Sequence, residues 1–234
     1  MTWPRALHSQ SFASLAFFLA VLVPGTQTEP ETPDNTPPAA IAVSHALSKA
    51  ELEVLQAAAR AFRIGDYAGC LRTLETADGV LPHPEILNLR GAALSELGRR
   101  KEANAMFEWA LEADPSHFWA RFNLAESALM DGDLAMARTR FLAMNPADPV
   151  QSELIALKLT LIAHSGGDLS AARRNLPPWP PVSAAGYAAY AVVAHAEGND
   201  PKFHALLSEA RQKHPDQWDN FLVKTLKESG LPIR

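Results

Sequence analysis

From Leu47 onward the apolar positions recur every three or four residues, the period of α-helices that each bury one face. The pattern is interrupted at regular places. Glycines end one stripe at Gly65, Gly98, Gly132, Gly167 and Gly198, and Asp66, Asp133, Asp168 or Asn199 follows four of them. Glycine accepts the left-handed conformation that stops a helix, and Asp or Asn caps the next one. A proline then closes each stretch: Pro82, Pro115, Pro149, Pro181 and Pro215, separated by 33, 34, 32 and 34 residues. The pattern predicts five helix–turn–helix units, at 47–82, 83–115, 116–149, 150–181 and 182–215.

The packing positions keep the same phase. First helices carry small residues where neighbours must approach closely: Ala58, Gly91, Ala125 and Ala191. Second helices carry the stripes Cys70, Leu74, Ala77, then Ala103, Phe107, Ala110, then Ala137, Phe141, Met144. One hairpin cannot bury both of its faces, so the units must stack on one another. Two departures stand out. Phe203 replaces the small residue of the fifth unit, and the run Pro177-Pro178-Trp179-Pro180-Pro181 ends the fourth unit's second helix. Proline inside a helix costs about 3 kcal/mol, so that helix is expected over Leu169–Leu176 and no further. The run is expected to be a rigid loop with Trp179 against a neighbouring helix, the alternative being a ligand for a proline-binding module. Beyond Pro215, Trp218, Phe221, Leu222 and Leu226 share one side of a last helix, which is expected to cap the array within 216–234.

The segment EILNLRGAALSELGRRKEANAMFEWALEADP and the one after it, SHFWARFNLAESALMDGDLAMARTRFLAMNPADP, coincide at a shift of 34 residues. Gly98 falls on Gly132, Ala103 on Ala137, Phe107 on Phe141 and Pro115 on Pro149. A period of that length is the mark of a stacked repeat, and at these residues the chain resembles the tetratricopeptide repeat family. The resemblance implies an all-α fold, a right-handed superhelical array of helix–turn–helix units with a C-terminal capping helix. It also implies a concave surface lined by the first helices and used to hold a partner. Helical spacing carried onto that surface nominates Phe62, Asn88, Glu96, Trp119, Phe122, Glu126, Met130, Glu153 and His164 as partner-binding residues. Trp119 and Phe122 suit the groove and the packing against the preceding unit equally. Glu85, Glu96, Glu126 and Glu153 would repel an acidic C-terminal tail. The ligand expected is therefore an apolar or basic peptide or helix of a protein.

Composition narrows the classes further. The chain has 234 residues, 47% of them hydrophobic and 20% charged, enough to bury a sizeable core. Its net charge is -5 at pH 7 with Lys and Arg scattered, which argues against a nucleic-acid footprint. The lone Cys70 cannot form an intramolecular disulfide, and it sits in a packing slot where a buried, inert thiol is expected. No phosphate-cradling loop, zinc-spaced Cys/His set or nucleophile elbow occurs. His164 and His195 fall at corresponding ends of successive first helices, but no third ligand accompanies them. The expectation is no catalytic residue, no metal, no cofactor and no enzymatic activity.

The first 46 residues differ in kind. Residues 1–25 read as a signal peptide: Arg5 lies near the start, and the 12 residues Phe12–Val23 carry no charge. That run is too short to span a bilayer, which takes about 20 residues. Residues 26–46 read as a linker, of which 26–40 are rich in Pro and acidic residues, a tether with nothing apolar to build a core. Export to the periplasm or cell envelope is expected, with secretion as the alternative, and membrane contact only through an uncleaved signal. These readings combine into a non-enzymatic scaffold or chaperone-like adaptor in a bacterial cell envelope. The alternative is an accessory subunit that docks a catalytic partner in an envelope enzyme complex.

Overall fold

A computed structural model describes residues 47–76, 83–218 and 220–233. The signal segment, the tether, Ala77 and Pro82 lie outside the described residues. Among those described, every regular element is helical. The helices are α1 (Lys49–Arg63), α2 (Tyr67–Glu75), α3 (Pro84–Glu96), α4 (Arg100–Ala113), α5 (Phe118–Met130) and α6 (Leu134–Leu142). They continue with α7 (Pro149–Ser165), α8 (Leu169–Arg174), α9 (Ala184–Ala196), α10 (Asp200–Lys213) and α11 (Asn220–Glu228), with a 3-10 turn at Pro215–Gln217. The turn chemistry accounts for this order. The five turn glycines have φ between 71° and 82°, a conformation that costs other residues but not glycine. Asp66, Asp133, Asp168 and Asn199 each accept a hydrogen bond from the amide three residues on, at 2.8 to 3.1 Å. Pro149 and Pro215, which close units in the sequence pattern, open the next element, where a missing amide N–H leaves nothing unsatisfied.

The chain divides into two compact units, one ending at Ser127 and the other beginning at Ala128. In the first, α2 packs against α1 and α3, and α3 against α4. Ser48 and Glu51 form a reciprocal capping box that starts α1. The core contains Leu55, Leu74, Leu89 and Phe107. Gly91 lets α3 meet α4 closely: a Cβ there would lie 2.5 Å from Phe107 Cε1 and 2.8 Å from its Cδ1.

In the second unit α7 packs against α6, α8 and α9, and α9 against α10. One apolar cluster joins Leu157 and Leu161 of α7, Tyr187 and Val192 of α9, Phe203 and Leu207 of α10, and Leu222 and Leu226 of α11. The large Phe203, at a position where small residues precede it, is fully buried. Helix α8 is shorter than the expected Leu169–Leu176. It stops at Arg174 because Leu176 precedes a proline and is biased away from helical geometry. Leu176 then turns into the core. Pro177 and Pro181 are buried, and Trp179, 58% exposed, meets Tyr187 and Tyr190 of α9 in T-shaped ring contacts with centroids 5.9 and 5.1 Å away. The expected contact of Trp179 with a neighbouring helix is present, although more than half of its surface stays open.

Candidate functional site

In the first unit the nominated residues lie along α1, α3 and α5, and most are inside the fold. Phe62 packs edge-on against Tyr67, with ring centroids 5.2 Å apart. Glu96 lies beside the Tyr67 hydroxyl and accepts its hydrogen bond. Burial first, then the Glu96 charge and that bond, hold the Tyr67 pKa above its usual value. Glu96 is thus engaged in joining α2 to α3. Asn88 is fully buried and accepts a 2.9 Å bond from Asn123 Nδ2. Trp119 and Phe122 form an aromatic trio with Phe118, at centroid distances of 5.0, 5.8 and 6.0 Å. Phe122 is 0% exposed, so its side chain belongs to packing, and Glu126 is also buried.

In the second unit, Met130 at the end of α5 and His164 at the end of α7 are half-buried. Glu153, the fifth residue of α7, is buried and spends its carboxylate within the fold. It accepts from the Val182 amide at 2.8 Å and from the Ser183 hydroxyl, while Ser183 Oγ in turn accepts from the Gly186 amide. A Cβ at Gly186 would stand 2.6 Å from the Glu153 carboxyl carbon. Gln217 adds a bond from the Ala184 amide at 2.8 Å. The start of α9 is therefore capped by its own serine, by α7 and by the 3-10 turn.

His164 and His195 do come together, with ring centroids 6.2 Å apart. His195 Nδ1 lies 3.1 Å from Asp200 Oδ1. Burial, and then repulsion from a charged His195, lower the His164 pKa. The sign follows. A histidine whose folded pKa is depressed gives stability that is complete above the unfolded value, about 6.5. That stability drains away as the pH falls from there through the lower folded value. The melting temperature is accordingly expected to fall with acidification below about pH 6.5, and His164→Asn to flatten that slope. An identical slope in the variant would assign the acid sensitivity elsewhere. Among the described residues no three His, Cys, Asp or Glu side chains gather as a metal-binding group.

Spacing did not single out every residue that organises these surfaces. His83 and His117, 34 residues apart, start α3 and α5 by accepting the amides of Glu85 and Ala120 on Nδ1, at 3.2 and 3.1 Å. His117 Nε2 also lies 3.3 Å from Glu85 Oε1, which brings the starts of the two helices close. Asn123 and Ser127 of α5 are buried polar groups beside the nominated ones. Their signal was a polar residue in the otherwise apolar run of α5. Cys70 is fully buried, and burial, reinforced by the Asp66 charge, pushes its thiol up to about 12, as an inert packing residue requires.

Residues 94–161, from the end of α3 into α7, match the family model described as tetratricopeptide repeat. No curated protein matches the chain.

Proposed function

This chain is a tetratricopeptide-repeat protein, and from that premise we propose that it acts as a non-catalytic scaffold holding a protein partner along its first helices. The observation that carries the reading is the recurrence of helix pairs in one phase. By that phase α1, α3, α5, α7 and α9 are corresponding elements of successive repeats. Met130 and His164, both in the second unit, are the nominated residues with side chains part-open to solvent. The part-exposed carboxylate of Glu85 at the start of α3 favours an apolar or basic protein segment over an acidic one. The uncharged run Phe12–Val23 and the proline-rich residues 26–46 support a place in the cell envelope, reached by export. Among the described residues no helix is long and apolar enough to cross a membrane.

A photoreactive residue at Met130 of the full-length chain, activated in the native cell, tests this. One dominant protein is expected, and its capture should be lost when the probe is moved to the exposed Lys101. The purified partner should then bind the chain directly and bind it more weakly after Met130→Glu. Equal capture from both positions would remove the first helices as the working surface.

A further inference from the structure

His164 and His195 are each the last residue but one of a helix, α7 and α9. Their rings lie with centroids 6.2 Å apart and planes at 63°. Both stay within reach of water: His164 is half-buried, and the His195 side chain is 30% exposed. The two imidazoles are held differently. His195 Nδ1 faces Asp200 Oδ1 at 3.1 Å, from the first residue of α10. The fully buried Phe203 packs against the same ring, with centroids 5.3 Å apart. A carboxylate and an aromatic neighbour therefore fix the orientation of His195. Neutral imidazole donates from one nitrogen and keeps a lone pair on the other. Donation from Nδ1 to Asp200 leaves that lone pair on Nε2. His164 makes no hydrogen bond among the described residues, so its ring nitrogens are uncommitted.

The geometry points to a transition-metal site in which His164 and His195 are the two protein ligands and Asp200 orients His195. Metal–nitrogen distances of about 2.0–2.1 Å place the centroids of two imidazoles on one ion roughly 5–6 Å apart. The observed 6.2 Å is a small side-chain rotation away from that. A carboxylate behind a ligating histidine fixes its tautomer and raises its basicity, and Asp200 stands in that relation to His195. Among the described residues no third protein ligand joins the pair, so water takes the remaining positions and the ion is exchangeable. Imidazole nitrogen selects later divalent ions, Cu(II) ahead of Ni(II) and Zn(II), whereas Mg(II) and Ca(II) take oxygen ligands. An ion bound here clips the end of α7 to the end of α9. It binds the folded chain and not the unfolded one, so it raises the stability of the second unit.

The test titrates the metal-stripped full chain with Cu(II) at neutral pH and follows the ion by electron paramagnetic resonance. The first equivalent should show nitrogen splitting from two imidazoles. His164→Asn and His195→Asn should each lose one of those nitrogens and weaken binding by more than tenfold. Asp200→Asn should keep both nitrogens and weaken binding by about tenfold, as removal of an orienting carboxylate does. His204→Asn, an exposed histidine on α10, should leave spectrum and affinity unchanged. Zn(II) should raise the melting temperature of the parent and of His204→Asn, but not of His164→Asn or His195→Asn. A two-nitrogen spectrum that survives either of those two substitutions overturns the site, because the ion would then rest on other histidines. Equal affinity in the parent and in His164→Asn also overturns it and leaves adventitious binding only. Should an asparagine variant lose helix by circular dichroism, the nitrogen count of the parent and the loss in Asp200→Asn decide. One nitrogen or none in the parent, or full affinity in Asp200→Asn, would sink the assignment.

Discussion

Replacing Gly91 by leucine is expected to lower stability by about 3 kcal/mol, the upper part of the usual range for overpacking. In a chain of this length that is a drop of roughly 6–12 °C in the melting temperature, readable by circular dichroism. The reason is local and specific. The first side-chain carbon alone would sit 2.5 to 3.0 Å from three atoms of the Phe107 ring. Phe107 is itself 0% exposed and cannot swing aside into solvent. Either α3 and α4 move apart or the ring leaves its rotamer, and both lose packing. A compensating truncation, Phe107→Leu in a Gly91→Ala background, should recover part of the loss. A Gly91→Leu chain that melts like the parent would mean that α3 and α4 are not packed in this register.

Removing the carboxylate of Glu153 should be as damaging. Glu153→Ala strips the acceptor from the Val182 amide and the Ser183 hydroxyl, and it leaves space beside Gly186. Hydrogen bonds to a charged group contribute about 1.5–3 kcal/mol each, and a buried donor left bare adds a penalty. The expected loss is roughly 3 kcal/mol, or again roughly 6–12 °C. Glu153→Gln, which keeps an acceptor, should lose less. Amide exchange at Val182 should speed up in the alanine variant. Unaltered melting would return Glu153 to the surface role that its position in the repeat suggested.

These two residues show where the sequence was legible. The helix pairs could be read because their signals are local. A glycine with positive φ followed by Asp or Asn stops one helix and starts the next without any distant contact. Gly98 shows the limit of that rule. It is followed by Arg99, whose side chain provides no cap, and instead forms an ion pair with Glu102 at 2.6 Å. The partner-binding strip was harder to read because its residues answer to distant partners. Glu153 reads as a rim carboxylate until the backbone 29 residues later is seen to use it. Phe122 could not be decided at all from spacing, since an aromatic at that phase serves packing and binding equally well. His83 and His117 repeat with the same 34-residue shift as the glycines. Histidine is an uncommon cap, however, and the recurrence carried no meaning without the geometry of Nδ1.

The cap on α9 also sets an order of events for a chain emerging from the ribosome. Ala184 finds its acceptor in Gln217, 33 residues downstream. Residues 48–51, by contrast, complete the start of α1 with groups only three apart. During synthesis α1 can therefore be closed as soon as it appears, while α9 waits with an open amide until the turn before α11 has been made. Until then its apolar residues have neither a finished cap nor Leu222 and Leu226 to cover them. That interval is when the nascent second unit is most exposed to proteases and to other unfinished chains.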